Sequence, residues 1–284
     1  MTTSDAERPR PRLSFTLDLE DHRADRRGPA RYEANTHVLL DLFEALGVRL
    51  TVFIVAEIAR EAPALVREVA ARGHEPACHS LAHRPLDQET PERFRRETAE
   101  AKAAIEDAAG RTVVGYRAPV FSLTAKTAWA AAELGGLGFE YSSSVLPAAS
   151  PLYGFPEAPR TPFRWGVGPL ELPAPVARFG LSATPFLGGF YLRYLPGFAV
   201  RRALRRQPRS ACLWSYVHPY DIDATEPFGA VAGAPLWVSL LLWANRAGTR
   251  RRLERLVRAV QPEVPLGERV RAGAFADAPT FTPS

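Results

Sequence analysis

Apolar residues in this chain recur at two spacings that take turns along its length. Residues 13–18 form a short β-prone run that ends in acidic positions. Val38, Leu39, Leu42, Phe43 and Leu46 follow at helical spacing, with Gly47 as a stop. Residues 50–55 are continuously apolar, as in a strand buried on both faces. The same reading gives helices at 64–71, 91–109 and 124–134, and strands at 74–78, 113–116 and 139–142. Residues 143–175 are rich in Pro and Gly and read as a long excursion with a short run at 169–172 inside it. Order resumes with a helix at 195–206, a strand at 211–217 and a helix at 236–260 that breaks near Gly248. Repeated β-α alternation predicts an α/β fold, a parallel sheet with helices outside it, as a single domain.

Composition agrees. With 46% hydrophobic and 24% charged residues, the 284-residue chain can bury an ordinary core. The net charge of +5 comes mostly from arginine, clustered at Arg201, Arg202, Arg205 and Arg206 and again at Arg250, Arg251, Arg252, Arg255 and Arg258. Such clusters suit phosphates on a nucleotide or anionic lipid, or simply solvate a helix face. No nucleic-acid motif accompanies them, so nucleic acid is not expected as a partner. Cys78 and Cys212 lie in apolar runs and are expected as buried free thiols. Residues 1–12 are polar and lack an apolar export segment, which predicts a disordered lead-in and a cytoplasmic protein. Residues 261–284 read as a C-terminal tail. Residues 234–244 are apolar but shorter than the ~20 residues a bilayer requires. A buried helix is the favoured reading; Trp237, Trp243 and the arginines beyond also suit peripheral contact of 234–258 with the inner membrane face.

Candidate chemistry gathers where strands end. His79 and His83 are two of only six histidines, and a spacing of four at a helical turn would aim both rings at one point. Such a pair with a carboxylate suits a divalent metal. Asp18, Glu20 and Asp21 end the first strand, Arg117 follows the 113–116 strand, Glu171 ends the 169–172 run and His218 ends the 211–217 strand. Each alone could be a cap or a surface residue. In parallel α/β barrels, however, functional groups collect at these carboxyl ends.

In order, Asp18-Leu-Glu20-Asp21, His79-Ser-Leu-Ala-His83, Tyr-Arg117-Ala-Pro119, Glu171-Leu-Pro and His218-Pro-Tyr-Asp-Ile-Asp resemble the five motifs of NodB-type polysaccharide deacetylases, carbohydrate esterase family 4. The D-x-E-D first motif and the stretch Gly188-Gly189-Phe190-Tyr191-Leu192-Arg193 resemble the branch found in exopolysaccharide gene clusters. The resemblance spans residues 13–260. It implies a distorted TIM-like (β/α)7 barrel that removes N-acetyl groups from amino sugars with the help of a metal ion. By position, it implies His79 and His83 as metal ligands, with a first-motif carboxylate as the third. It further implies Asp18 as general base, His218 as general acid and Arg117 as the group that holds Asp18 ionised. Glu171 would polarise His218, and the backbone amide of Val120 would lie at the oxyanion hole.

Elementary chemistry supports these roles. Amide hydrolysis needs an activated water, a stabilised oxyanion and a protonated leaving amine. A divalent ion lowers the pKa of water from 15.7 to about 7, and a positioned acid and base each contribute ~10²–10⁴-fold. Most of the wider family has adjacent aspartates in the first motif, whereas Leu19 follows Asp18 here. The metal carboxylate is therefore Glu20 or Asp21, and strand alternation, which puts Asp18 and Glu20 on one face, favours Glu20. Zinc is the first expectation; cobalt, nickel or manganese would accept the same ligands.

The leading reading is a metal-dependent N-deacetylase acting on an N-acetylated sugar or lipid-linked glycan precursor. A hydrolase of a non-sugar amide, allantoinase-like, is the alternative, and a catalytically silent glycan-binding protein the third. Tyr153, Phe155 and Trp165 could stack on sugar rings or pack a lid.

Overall fold

The first strand, β1 (Arg12–Leu19), shows how the barrel is built. Leu13, Phe15, Leu17 and Leu19 are each at most 1% exposed and pack outward into the larger core cluster. Ser14, Thr16 and Asp18 alternate with them and take the opposite face. Both faces are covered, so the strand is apolar on one side and filled by buried polar groups on the other. The computed structural model describes residues 9–23, 30–180, 182–229 and 236–283; the expected lead-in therefore lies largely outside the described residues.

The remaining strands are β2 (Leu50–Ile54), β3 (Glu75–Cys78), β4 (Gly115–Tyr116), β5 (Tyr141–Ser142), β6 (Phe163–Trp165), β7 (Leu170–Glu171), β8 (Val176–Phe179), β9 (Ser182–Pro185), β10 (Trp214–Val217), β11 (Gln261–Pro262) and β12 (Thr280–Phe281). Seven of them, in the order β10-β1-β2-β3-β4-β5-β7, form a continuous parallel array among the described residues. Between β10 and β7 the ladder is replaced by other contacts. Tyr216 N–H donates to the Leu187 carbonyl at 3.2 Å, and the Trp214 indole donates to Leu172 O at 3.2 Å. The result is a distorted (β/α)7 barrel in one domain. Its interior holds Phe53, Ala77, Tyr141, Leu172 and Trp214, and a second core lies between sheet and helices.

Helices α1 (Tyr32–Ala45), α2 (Ala56–Glu61), α3 (Pro63–Ala71), α4 (Pro91–Ala109) and α5 (Trp129–Gly136) connect the early strands. Local signals set their ends. Thr90 accepts the Arg93 N–H at 3.3 Å, Pro91 fills the first turn of α4, and Gly110 ends it at φ 64°. Beyond β9 come α6 (Gly189–Tyr194), α7 (Gly197–Arg205), α8 (Leu236–Trp243), α9 (Thr249–Ala259) and α10 (Leu266–Arg271).

Several expectations change here. Of the stretch 234–244, expected as a buried helix, 234 and 235 lie outside the described residues, and α8 exposes Leu236, Trp237 and Leu240 by half or more, with Ser239 its one fully buried residue. An apolar stretch with no polar face gives no period from which to read the buried side. It ends at Trp243; Asn245 is left-handed at φ 61°, and α9 starts only after a short 3₁₀ turn. Residues 261–283 are part of the fold. β11 pairs with β1 and β12 with β6, while Leu266 is fully buried. Phe155 and Trp165 are buried against Phe281, so they pack the core, whereas the Tyr153 hydroxyl donates to Asp87 at 3.0 Å. Cys78 and Cys212 are buried free thiols, pushed up by burial to about 12 and about 11.

Candidate active site

At the carboxyl end of the barrel, Arg117 follows β4 into the interior and is fully buried. Its guanidinium lies 3.9 Å from the Phe53 ring centroid and 4.2 Å from that of Trp214. Nη1 donates to Asp18 Oδ1 at 2.5 Å and to Thr16 Oγ1 at 2.9 Å, while Nη2 donates to Ser143 Oγ at 2.9 Å. A charge this deep is tolerated because its donors meet a carboxylate and hydroxyls in fixed geometry. Asp18 is thereby fixed at the end of β1, with Oδ2 3.8 Å from His218 Nε2.

Glu20 lies one alternation beyond Asp18 and meets both motif histidines. Its Oε2 is 2.5 Å from His83 Nε2 and 3.7 Å from His79 Nε2. The Nδ1–H of His79 donates to the Arg117 carbonyl at 2.8 Å, which turns Nε2 toward Glu20. One ligand atom from each of Glu20, His79 and His83 lies within 4.8 Å of the others. Two imidazole nitrogens and a carboxylate oxygen, oriented from behind and converging, fit a divalent ion with coordination positions left for water and substrate. Burial would raise the Glu20 pKa, but His83, His79 and His218 outweigh it and hold the carboxyl well below the usual range. Asp21, the other candidate, turns away: it pairs with Arg23 at 2.7 and 2.9 Å and stands outside the cluster.

The two histidines meet by a different route from the one their spacing suggests. Residues 79–83 form no helical turn. Ser80 and His83 take left-handed conformations at φ 69° and 54°, and the His83 N–H donates to Ser80 Oγ at 2.9 Å. The ring centroids are 4.9 Å apart. Val120 and Phe121 are also left-handed, at φ 49° and 56°. For a β-branched residue that is a true outlier, costing about 1–3 kcal/mol, and such strain concentrates where a loop must be held in one shape. Val120 is 41% exposed.

Glu171 does not reach His218 as expected. It accepts the backbone N–H groups of Ser144 and Val145 at 2.7 and 3.0 Å and the Trp165 indole at 3.4 Å. It thus fixes the turn that follows Ser143, whose hydroxyl accepts from Arg117, and so braces the Asp18 side of the site. The group at His218 is Asp221. Its Oδ2 accepts from His218 Nδ1–H and from the His218 backbone N–H, both at 2.9 Å. Burial alone would lower the His218 pKa, but Asp221, Glu20 and Asp18 raise it to about 9. Tyr220 stacks on the imidazole at 4.7 Å. The Gly188-Gly189…Arg193 stretch now has a structural reason. A Cβ on Gly189 would meet Asp221 Oδ2 at a distance no Cβ can tolerate, and buried Arg193 stands 3.4 Å from Asp221 Oδ1. Asp221, Arg193, Ser143 and Ser144 had no role in the sequence reading. The signals for Asp221 were its position in the fifth motif and its place three residues after His218, at a helical turn that begins with proline.

Residues 9–137 match the family described as polysaccharide deacetylase, and residues 143–262 match a domain of unknown function, DUF3473. Among solved structures, a candidate polysaccharide deacetylase of Mycobacterium smegmatis superposes with a TM-score of 0.65 at 19% identity, covering 99% of this chain and 96% of its own. PuuE allantoinase superposes at 0.60 with 16% identity, over 95% of each chain. A carbohydrate esterase family 4 pseudoenzyme of Bacillus anthracis superposes at 0.51 with 9% identity, over 92% of this chain and 66% of its own. At such identities these likenesses speak for the barrel alone. The chain thus carries a polysaccharide deacetylase domain at residues 9–137, followed by DUF3473 at 143–262.

Proposed function

We propose that the protein is a metal-dependent hydrolase that removes the N-acetyl group from an amino sugar in a glycan or glycan precursor. The observation that carries this reading is the convergence of Glu20, His79 and His83 with Asp18 and His218 beside them. A protein that only binds a glycan has no need for a buried Arg117–Asp18 pair and a braced histidine beside a ligand set. A divalent ion held by Glu20, His79 and His83, with zinc the first expectation and cobalt, nickel or manganese the alternatives, would polarise the amide carbonyl and acidify a water.

The protein's own groups do the rest. Asp18, held by Arg117, accepts the proton of the attacking water. His218 Nε2, 3.8 Å from Asp18 and 3.9 Å from Glu20, donates a proton to the departing amine. Asp221 fixes the tautomer by occupying Nδ1, so that Nε2 carries the proton to be given. The backbone N–H at Val120 faces the developing oxyanion, a role that asks nothing of the side chain.

Metal analysis of the purified full chain tests the ligand set. One equivalent is expected in wild type and in Asp21→Asn, and loss in Glu20→Gln and His83→Ala. Retention in Glu20→Gln would overturn the assignment. A cytoplasmic or inner-face location, with the glycan still on a lipid carrier, fits the exposed apolar face of α8. Among the described residues no helix is long and apolar enough to cross a membrane.

A further inference from the structure

Away from the catalytic groups, the DUF3473 region contains a cavity of about 530 Å³ between the β8–β9 hairpin and α7. Its walls carry four guanidinium groups, Arg160, Arg178, Arg202 and Arg206, together with Phe179 and Phe198. Among the described residues no carboxylate lines it. None of the four arginines forms an ion pair among the described residues, although most arginines of the barrel's early half do. The sequence shows the same one-sidedness: residues 172–220 hold seven arginines and no aspartate, glutamate or lysine. The cavity is a built feature. Gln207 Nε2 donates to Val176 O at 3.1 Å and to Ala203 O at 3.4 Å, tying hairpin to helix, and Val176 and Ala203 are buried beneath it.

Four cations gathered without counter-charge repel one another, and an anion that bridges them relieves this. Arginine without lysine points to planar, two-pronged recognition of phosphate oxygens. The volume falls in the range of small-ligand sites, about 300–1,000 Å³. It is too small for a nucleic-acid groove, and the two phenyl rings offer an apolar surface to an organic portion. We propose that this cavity is a binding site for a phosphate or pyrophosphate ester, separate from the catalytic centre and independent of whether the barrel deacetylates sugars. A soluble phosphorylated metabolite and the headgroup of a phospholipid share this chemistry.

Titration calorimetry on the full chain separates the possibilities, with inorganic pyrophosphate as one probe and monomeric dihexanoyl phosphatidic acid as the other. Binding of pyrophosphate that weakens with added salt and falls at least about tenfold in Arg202→Ala/Arg206→Ala supports the site and a soluble ligand. Binding of the short-chain lipid alone, lost in the same variant, supports the site with a lipid headgroup as its source. Arg202→Lys/Arg206→Lys should recover part of the affinity, since charge returns without the fork. These side chains are exposed, so the variants should melt with wild type, and Asp18→Asn should bind both probes as wild type does. No binding of either probe, or binding that all four substitutions leave unchanged, overturns the proposal.

Discussion

Among single residues, Asp221, a position of the fifth motif to which the resemblance gave no role, stands out. It accepts two hydrogen bonds from His218 and faces Arg193, so one carboxylate sets both the orientation and the proton affinity of the proposed acid. Asp221→Asn should leave metal content intact and lower turnover ~10²-fold or more, because an amide can leave His218 in the wrong tautomer. Turnover unchanged, measured with metal-loaded variant, would remove Asp221 from the mechanism. Gly189→Ala tests the same unit from its other side. The added Cβ would displace the Asp221 carboxylate, so activity should fall as in Asp221→Asn while Gly47→Ala, far from the site, leaves activity in place. Equal activity in Gly189→Ala and wild type would show that Asp221 has room to shift.

Elements explain what the sequence could and could not reveal. Strands β1 and β2 and helix α4 were legible because each is long and its apolar period matches a layer buried on a known side. The proposed metal ligands and base were legible because they stand at strand ends in a recognisable order. Short elements were not: α2, the β8–β9 hairpin, α6, β11 and β12 have two to six residues each, too few for a period. The bracing of Arg117 by Ser143 escaped for another reason, since it is made by a backbone turn after β5 that only the packed sheet brings near. His74, just ahead of β3, shows what the packing does to a titrating group. Its Nδ1 accepts the Leu50 N–H at 2.9 Å, while Nε2 is buried without a partner. Burial, helped by Arg72, lowers its pKa from 6.5 to about 4. The unfolded chain thus binds this proton more readily. His74 costs nothing above pH 6.5, and stability is lost as pH falls from 6.5 toward 4. Denaturant unfolding at about pH 7 and about pH 5 should show that loss in wild type. His74→Asn, whose amide oxygen can take the same N–H, should show less of it; an equal loss would place the acid sensitivity elsewhere.

The whole molecule joins a barrel to two surfaces the reaction does not use. One is the arginine-lined cavity; the other is the apolar face of α8, where Leu236, Trp237 and Leu240 stand in solvent. A patch of this kind on an otherwise charged surface marks a contact site. Leu240→Glu should reduce co-sedimentation with anionic vesicles severalfold and leave acetate release from soluble substrate unchanged. Unaltered sedimentation would separate α8 from any membrane role. The central claim concerns the barrel itself and has a direct measurement: acetate released from N-acetylglucosamine oligomers or a lipid-linked N-acetylated sugar by the metal-loaded full chain. Release is predicted that stops on chelation, returns with added divalent metal, and is lost in Asp18→Asn despite full metal occupancy. Full occupancy at Glu20, His79 and His83 with no acetate from either substrate would contradict the account.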